Sequence, residues 1–464
     1  MKKIVAVGTF TVVAFASLCA VAGAVDGVWL KGTTDKDPLS YKAGEEVVFT
    51  VEPVDVDGAV PEGQYMYKWE RSDDYGNFQN GTVPFDGKPF VYRTTLDKPG
   101  FVRLYVNIIG PDGQVVRRRF NGDATTPEGR AAMNKFEKPG KFIFFDGGAG
   151  FDVDSLAAPE EPADFDEFWK KQFARLDKVP IKCDRVAMET KNSNVRMWAV
   201  RIDCAGLRPV TGYLTIPIAV DEGKTFPCIL ETHGYNADSC THSLPAWVPN
   251  DMIFLTINAH GLKLKEFGAT EADTKALRWE IRSHDNTYAF DRAQNKDPEV
   301  AYFNGMVLRV KRALQYLKTV EGWNGKDLYA SGGSQGGLQT IWAAACGEGV
   351  TFARSSITWC CDMRMNDPRR EKKAATGNWY IPWVEGLGYY DAVTWAKRIP
   401  STCRVEIPRA GLGDYTCPPM GLAKLYNAIT APKKIVWVQG SEHGYVPPEY
   451  EGRDFTRSTM DDGR

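Results

Sequence analysis

The sequence predicts two folding units in series: an all-β sandwich of immunoglobulin-like type, then an α/β domain built on a parallel sheet. Three observations predict this. Between Val25 and Gly150, apolar and polar residues alternate with period two and turn residues recur at short spacing, the pattern of half-buried antiparallel strands. Beyond Pro162, strand-like runs at 227–232 and 252–258 are followed by a helical one at 303–317, as strand–helix–strand units require. Third, Gly332-Gly-Ser334-Gln335-Gly336 stands between a strand-like run at 328–331 and a strong helix former. That is G-x-S-x-G, a sharp turn that lifts a serine hydroxyl above the end of a parallel sheet.

The length of 464 residues suits two or more domains. Met1-Lys2-Lys3, an apolar run to about Val21 and Ala22-Gly23-Ala24 read as a cleavable secretory signal over 1–24. An uncleaved anchor is the alternative, because the run is nearly long enough to span a bilayer. Leu18 stands where lipidation of Cys19 would want a small residue. The mature chain is then expected in the periplasm or outside the cell, with no membrane attachment after cleavage. Cleavage leaves nine of ten cysteines, so at least one thiol is left over from any set of internal bridges. A net charge of −2 with short basic runs only (Arg117-Arg118-Arg119; Arg369-Arg370 beside Lys372-Lys373) gives no reason to expect nucleic acid.

The sandwich is expected over 25–150. Tyr65, Tyr67 and Trp69 alternate with polar or flexible neighbours, as do Val102, Leu104, Val106 and Ile108, and Pro111-Asp-Gly113 closes a hairpin. No residue there looks catalytic, and the reading favoured is an oligomerisation or shielding module, consistent with a homo-oligomer, with sugar binding as the alternative. Gly147-Gly-Ala-Gly150 and the prolines at 159–162 read as a linker. The second domain, 155–464, opens on a helix that Asp164 can cap in a box with Glu167, with Phe165, Phe168, Trp169 and Leu176 on one face. Next comes a hairpin. A two-residue turn at Ser193-Asn194 would set Cys183 opposite Cys204, where an oxidising compartment permits a bridge; buried free thiols are the alternative. A further strand is expected at 351–362, taking in Cys360-Cys361.

The chemistry lies in the order of three turns. Ser334 follows one strand-like run, Asp414 follows 404–408, and His443 follows 434–439. A serine hydroxyl is a poor nucleophile until an imidazole takes its proton, and a carboxylate must fix the imidazole tautomer. Ser, Asp, His, each just after a strand, is the chain order of an α/β-hydrolase. Two rivals remain: His260 as base, although it precedes the nucleophile, and Asp362 as orienter. His233, at the end of the 227–232 strand, is expected to hold the glycine turn Gly234-Tyr235-Asn236, and His242 and His284 have no partner pattern.

From about Pro162 onward the chain resembles the acetyl xylan esterase and cephalosporin C deacetylase family, carbohydrate esterase family seven. The carriers are Pro162-Ala-Asp-Phe-Asp-Glu-Phe-Trp169, His233-Gly-Tyr235, Gly332-Gly-Ser-Gln-Gly336, Gly413-Asp414-Tyr-Thr-Cys-Pro-Pro419 and Glu442-His443. The resemblance implies Ser334 as nucleophile, His443 as base and Asp414 as its orienter. It implies the backbone N–H groups of Gln335 and Tyr235 as an oxyanion hole. It also implies an acetylated carbohydrate substrate, and neither cofactor nor metal. This chain departs from the family in carrying Asn258-Ala-His260-Gly261 where Arg-Gly-Gln is usual, and in having the sandwich. The bulky side chains of Gln335 and Tyr235 are expected to narrow the acyl side, and Trp379, Tyr380 and Trp383, in an irregular stretch over 366–388, to offer faces for a sugar. Other readings are a general carboxylesterase, a prolyl-oligopeptidase-like peptidase, for which no propeller-length repeat is visible, and a polysaccharide binder without turnover.

Overall fold

The computed structural model describes residues 29–54, 64–116, 125–127, 143–238, 249–282, 288–365, 379–447 and 453–460. The signal read at 1–24, His242, His284, the two basic runs and 366–378 lie outside them. Among the described residues no helix is long and apolar enough to cross a membrane.

The first seven strands are β1 (Trp29–Thr34), β2 (Glu46–Val54), β3 (Met66–Asp73), β4 (Phe78–Pro84), β5 (Phe90–Thr95), β6 (Gly100–Ile109) and β7 (Phe144–Phe151). They form two antiparallel sheets, β1-β2-β5 and β4-β3-β6-β7. Val47, Phe49 and Val51 from one and Val102, Leu104, Val106 and Ile108 from the other are fully buried in a shared core, as alternation demands of a sandwich. The Pro111–Gly113 turn closes as expected, with Gly113 N–H donating to Gly110 O at 2.9 Å.

The second unit holds ten strands in the order β17-β16-β15-β14-β13-β11-β12-β10-β9-β8. These are β8 (Cys183–Met188), β9 (Val195–Ile202), β10 (Val210–Pro217), β11 (Phe226–Thr232), β12 (Ile253–Ile257), β13 (Trp323–Gly333), β14 (Phe352–Ser356), β15 (Arg404–Gly411), β16 (Lys433–Val438) and β17 (Asp454–Ser458). Strands β12, β11, β13, β14, β15 and β16 run parallel, and the outer ones pair antiparallel. The helices are α1 (Phe165–Asp177), α2 (Glu271–Ile281), α3 (Arg292–Lys296), α4 (Tyr302–Leu317), α5 (Gln335–Ala345), α6 (Ala392–Ala396) and α7 (Pro419–Ala428). The fold is an α/β-hydrolase preceded by an antiparallel β region. Because α4 and α5 bury most of their surface, the central strands are covered and read as apolar runs.

Four local expectations are corrected. Gly147–Gly150 is not a linker but part of β7, which is buried throughout. A Cβ on Gly148 would lie 2.6 Å from Val102 O and 3.0 Å from Leu412 O, so glycine serves close backbone approach, not mobility. The Gln439 side chain pairs with the same residue, accepting from Gly148 N–H at 2.9 Å and donating to Gly148 O at 2.8 Å. The capping box on α1 does not form. Asp164 makes no cap bond and its carboxylate accepts from the Tyr389 hydroxyl. The β8–β9 register sets Ile202, not Cys204, opposite Cys183. Asn192 Oδ1 takes Asn194 N–H at 3.1 Å and moves the turn towards residue 192. Both thiols are free. Finally, the strand expected over 351–362 stops at Ser356, because Ile357, Cys360 and Asp362 adopt positive φ; Cys360 and Cys361 are buried in a loop.

Candidate active site

Four loops at the carboxyl ends of β11, β13, β15 and β16 converge, the position where open α/β sheets present their chemistry. Ser334 joins β13 to α5 with φ 58° and ψ −118°, a sparsely populated conformation for a residue with a side chain. It is held on both sides. Its N–H donates to Ser356 O at 2.9 Å and its carbonyl accepts from Trp359 N–H at 3.1 Å. Close packing of α5 on β11 completes the turn, since a Cβ on Gly336 would lie 2.3 Å from Thr232 O.

His443 Nε2 stands 3.1 Å from Ser334 Oγ, and its Nδ1 stands 2.9 Å from Asp414 Oδ2. The Asp414 carboxylate has no solvent exposure, and its other oxygen accepts from the N–H groups of Thr416 at 3.0 Å and Cys417 at 2.9 Å. With Oδ1 spent on two backbone donors, Oδ2 is fixed towards His443 Nδ1–H, leaving Nε2 as the acceptor that faces the serine. The three residues thus form one hydrogen-bonded chain, drawn from the ends of three strands. Arg409 Nη2 steadies the histidine loop by donating to His443 O at 2.9 Å.

Gln335 opens α5, so its N–H has no acceptor within the helix. The Tyr235 loop is brought beside it by Thr232, whose hydroxyl donates to Gly336 O at 2.8 Å. A residue not singled out from the sequence ties the two together. The Tyr288 hydroxyl donates to Gln335 Oε1 at 2.5 Å and accepts from Asn236 N–H at 3.0 Å. Its ring stacks on that of Tyr235 at 3.9 Å, and the Tyr235 hydroxyl bonds both Tyr288 O and Tyr288 N–H. Gln335 is consequently fully buried, and its side chain runs under the site; the expectation that it narrows the acyl side is corrected. The rings of Trp359 and Trp379 pack against Tyr235, with centroids 5.5 Å and 4.6 Å from its own. A cavity of about 220 Å³ opens against His443 and Asp414, lined by Trp359, Trp379 and Tyr380. Trp383 is not among its walls.

A family model for acetyl xylan esterases, AXE1, matches residues 156–456. The chain belongs to the acetyl xylan esterase family. That makes it a carboxylic ester hydrolase, and leaves the sandwich outside the matched region. The acetyl esterase Axe7A of Xylanibacter ruminicola is 28% identical over 358 residues, covering 72% of this chain and 78% of the relative. Acetyl xylan esterase 1 of Thermoanaerobacterium sp. JW/SL YS485 aligns with a TM-score of 0.50 at 19% identity, covering 64% of this chain and 93% of that one. An acetyl xylan esterase from Paenibacillus sp. R4 aligns at 0.48 and 21%, covering 65% and 96%.

The rival residues of this esterase have other partners. Asp362 is paired with Lys424 and does not meet the histidine. Asp391, its neighbour, is pushed up to about 7 by burial and then by the Asp362 charge, and takes the N–H groups of Asp362 and Val393. His260 is fully buried, held well below the ordinary histidine range by burial, and bonded to Tyr302 and to Asn236 O. His233 holds the turn as expected. Burial brings it down to about 4, its Nε2 accepts from Ala259 N–H at 2.9 Å, and its Nδ1 faces Gly234 O at 2.6 Å. The unusual Asn258-Ala-His260-Gly261 turn props the same loop, because Asn258 Nδ2 also donates to Ala237 O at 3.0 Å. Asp414, Cys417 and His443 bring three metal-competent donor atoms within 4.8 Å of one another; within the serine chain His443 Nδ1 bonds the Asp414 carboxylate.

Proposed function

We propose that this chain is a secreted serine acetylesterase that removes acetyl groups from acetylated sugars or xylan-derived oligosaccharides. The observation that carries the proposal is the continuous Ser334–His443–Asp414 chain, whose histidine and aspartate line the cavity. In this reading Ser334 Oγ attacks the acetyl carbonyl while His443 Nε2 takes the hydroxyl proton, and Asp414 stabilises the imidazolium. The tetrahedral oxyanion lies on the N–H groups of Gln335 and Tyr235, where preorganised donors do most for the barrier. Collapse breaks the bond to the sugar oxygen, which leaves with the proton from His443. Water, deprotonated by the same nitrogen, then releases acetate and restores Ser334. The names of its relatives point to the same leaving acyl group.

Trp359 and Trp379, packed against Tyr235 of the oxyanion turn, favour a short acyl chain, since each methylene refused by a tight apolar pocket costs roughly 1–3 kcal/mol. Acetate release from acetylated xylo-oligosaccharides, alongside kcat/KM for acetyl, butyryl and octanoyl esters of one alcohol, tests this. The expected result is oligosaccharide deacetylation and a preference of about thirtyfold or more for acetyl over butyryl, which is two methylenes longer. A rate that stays level or rises with chain length would make the enzyme a general carboxylesterase.

A further inference from the structure

The family match begins at residue 156, yet two walls of the active-site cavity come from before it. Arg103 of β6 and Asp146 of β7 line that cavity together with Glu442, the residue preceding His443. Arg103 Nε donates to Asp146 Oδ1 at 2.7 Å and Nη2 to Oδ2. This is a two-point pair that fixes the guanidinium plane. That plane lies 4.5 Å over the Tyr415 ring, beside Asp414 in the loop after β15. The third guanidinium nitrogen, Nη1, has no partner among the described residues. Glu442 is pushed up to about 7, first by burial and then by the Asp146 carboxylate beside it, against the pull of Arg103.

The sandwich is seated so that these groups cannot drift. A Cβ on Gly413 would lie 2.1 Å from Asp146 O, the Gln439 amide brackets Gly148, and Phe101 stacks on Trp437 at 5.7 Å. The arrangement suits a neutral polyol. The Glu442 carboxyl and a spare Arg103 N–H suit adjacent hydroxyls, with the fully buried Asp146 holding the guanidinium in place, and Trp379 offers an aromatic face for the C–H surface of a ring. Four carboxyl residues line the cavity (Asp146, Asp362, Asp414, Glu442) against one arginine, which disfavours an acidic sugar.

We propose that the N-terminal sandwich completes the alcohol side of the active site, Arg103, positioned by Asp146, joining Glu442 in a subsite for the hydroxyls of a neutral sugar. This rests on the deacetylase reading above and adds the residues that select the alcohol.

The test uses Glu442→Gln and Asp146→Asn in the full chain, with kcat/KM for an acetylated xylo-oligosaccharide and for 4-nitrophenyl acetate, which has no hydroxyls to recognise. The ratio of the two values is expected to fall at least tenfold in each variant, through the KM for the oligosaccharide. If the buried Asp146→Asn protein does not fold, Glu442→Gln, on the cavity wall, carries the test alone. An unchanged ratio overturns the subsite. So does an equal loss on both substrates, which would mean the cluster only steadies the His443 loop. Failure of the wild-type enzyme on the oligosaccharide would sink the deacetylase reading and the subsite with it.

Discussion

Replacing Asp414 by asparagine tests the hydrogen-bonded chain through a change of one atom. Asp414 Oδ1 accepts from the N–H groups of Thr416 and Cys417, and the amide oxygen of asparagine will keep that place, because turning the NH2 group there would set donor against two donors. The NH2 group then faces His443 Nδ1, now 2.9 Å from Asp414 Oδ2, and Nδ1 must accept instead of donate. The proton moves to Nε2, so the nitrogen 3.1 Å from Ser334 Oγ points a hydrogen at the serine and cannot take its proton. A wrong tautomer of this kind costs about 10⁴ in kcat, or about 5.5 kcal/mol of barrier, while KM changes little. The fold is kept, since the backbone bonds to Oδ1 survive. Stopped-time hydrolysis of 4-nitrophenyl acetate from pH 6 to 9 measures it. Asp362→Asn, which breaks the pair with Lys424 and takes a negative charge away from Asp391, is expected to stay within about tenfold of wild type. Asp414→Asn within about tenfold of wild type, or Asp362→Asn falling further than Asp414→Asn, would refute the assignment.

Tyr288→Phe removes the hydroxyl between Gln335 Oε1 and Asn236 N–H. Displaced oxyanion donors are expected to lower kcat about 10–100-fold, with about 1–3 kcal/mol lost in urea unfolding; unchanged kcat would separate Tyr288 from the oxyanion loop. Glu442 and Asp391 both sit at about 7, above the ordinary carboxyl range. These two carboxyls hold protons in the folded state that the unfolded chain loses between roughly pH 4 and 7, so their contribution to stability falls as pH rises through that window, against the opposite contribution of His233 and His260, which burial keeps neutral. Glu442→Gln should remove roughly half of that fall, and an identical pH profile for the variant would contradict it. Thiol titration of denatured, unreduced protein is expected to find Cys183 and Cys204 both reactive; a bridge between them would contradict the β8–β9 register.

Ser334, Asp414 and His443 were legible because each sits in a turn just after a strand, and both the turn residues and the strand run are local in sequence. The loop at His233–Asn236 was legible for the same reason. Tyr288 was not, since it lies in a long insertion with no periodic pattern and reaches the site only by stacking on Tyr235. Arg103 and Asp146 were missed more deeply. Their contact with the Glu442 loop spans some three hundred residues of chain, and nothing in an alternating strand marks which outward residue meets another domain. The glycine run in β7 misled for a physical reason, because absence of Cβ serves a mobile linker and a close backbone contact alike. The hairpin at Asn192 shows how little separates two registers. A side-chain bond from one asparagine shifted the turn and carried Cys204 past Cys183.

The central claim is that Ser334 is a nucleophile activated by His443 and Asp414, and covalent labelling reaches it most directly. A dialkyl fluorophosphate transfers its phosphoryl group to an activated serine hydroxyl, with fluoride leaving. Peptide mass mapping after inactivation is predicted to place one dialkylphosphoryl group per chain on Ser334, with none on the Ser334→Ala protein and much slower labelling of Asp414→Asn. A label on another residue, or full esterase activity in a protein whose Ser334 is quantitatively modified, would contradict the account.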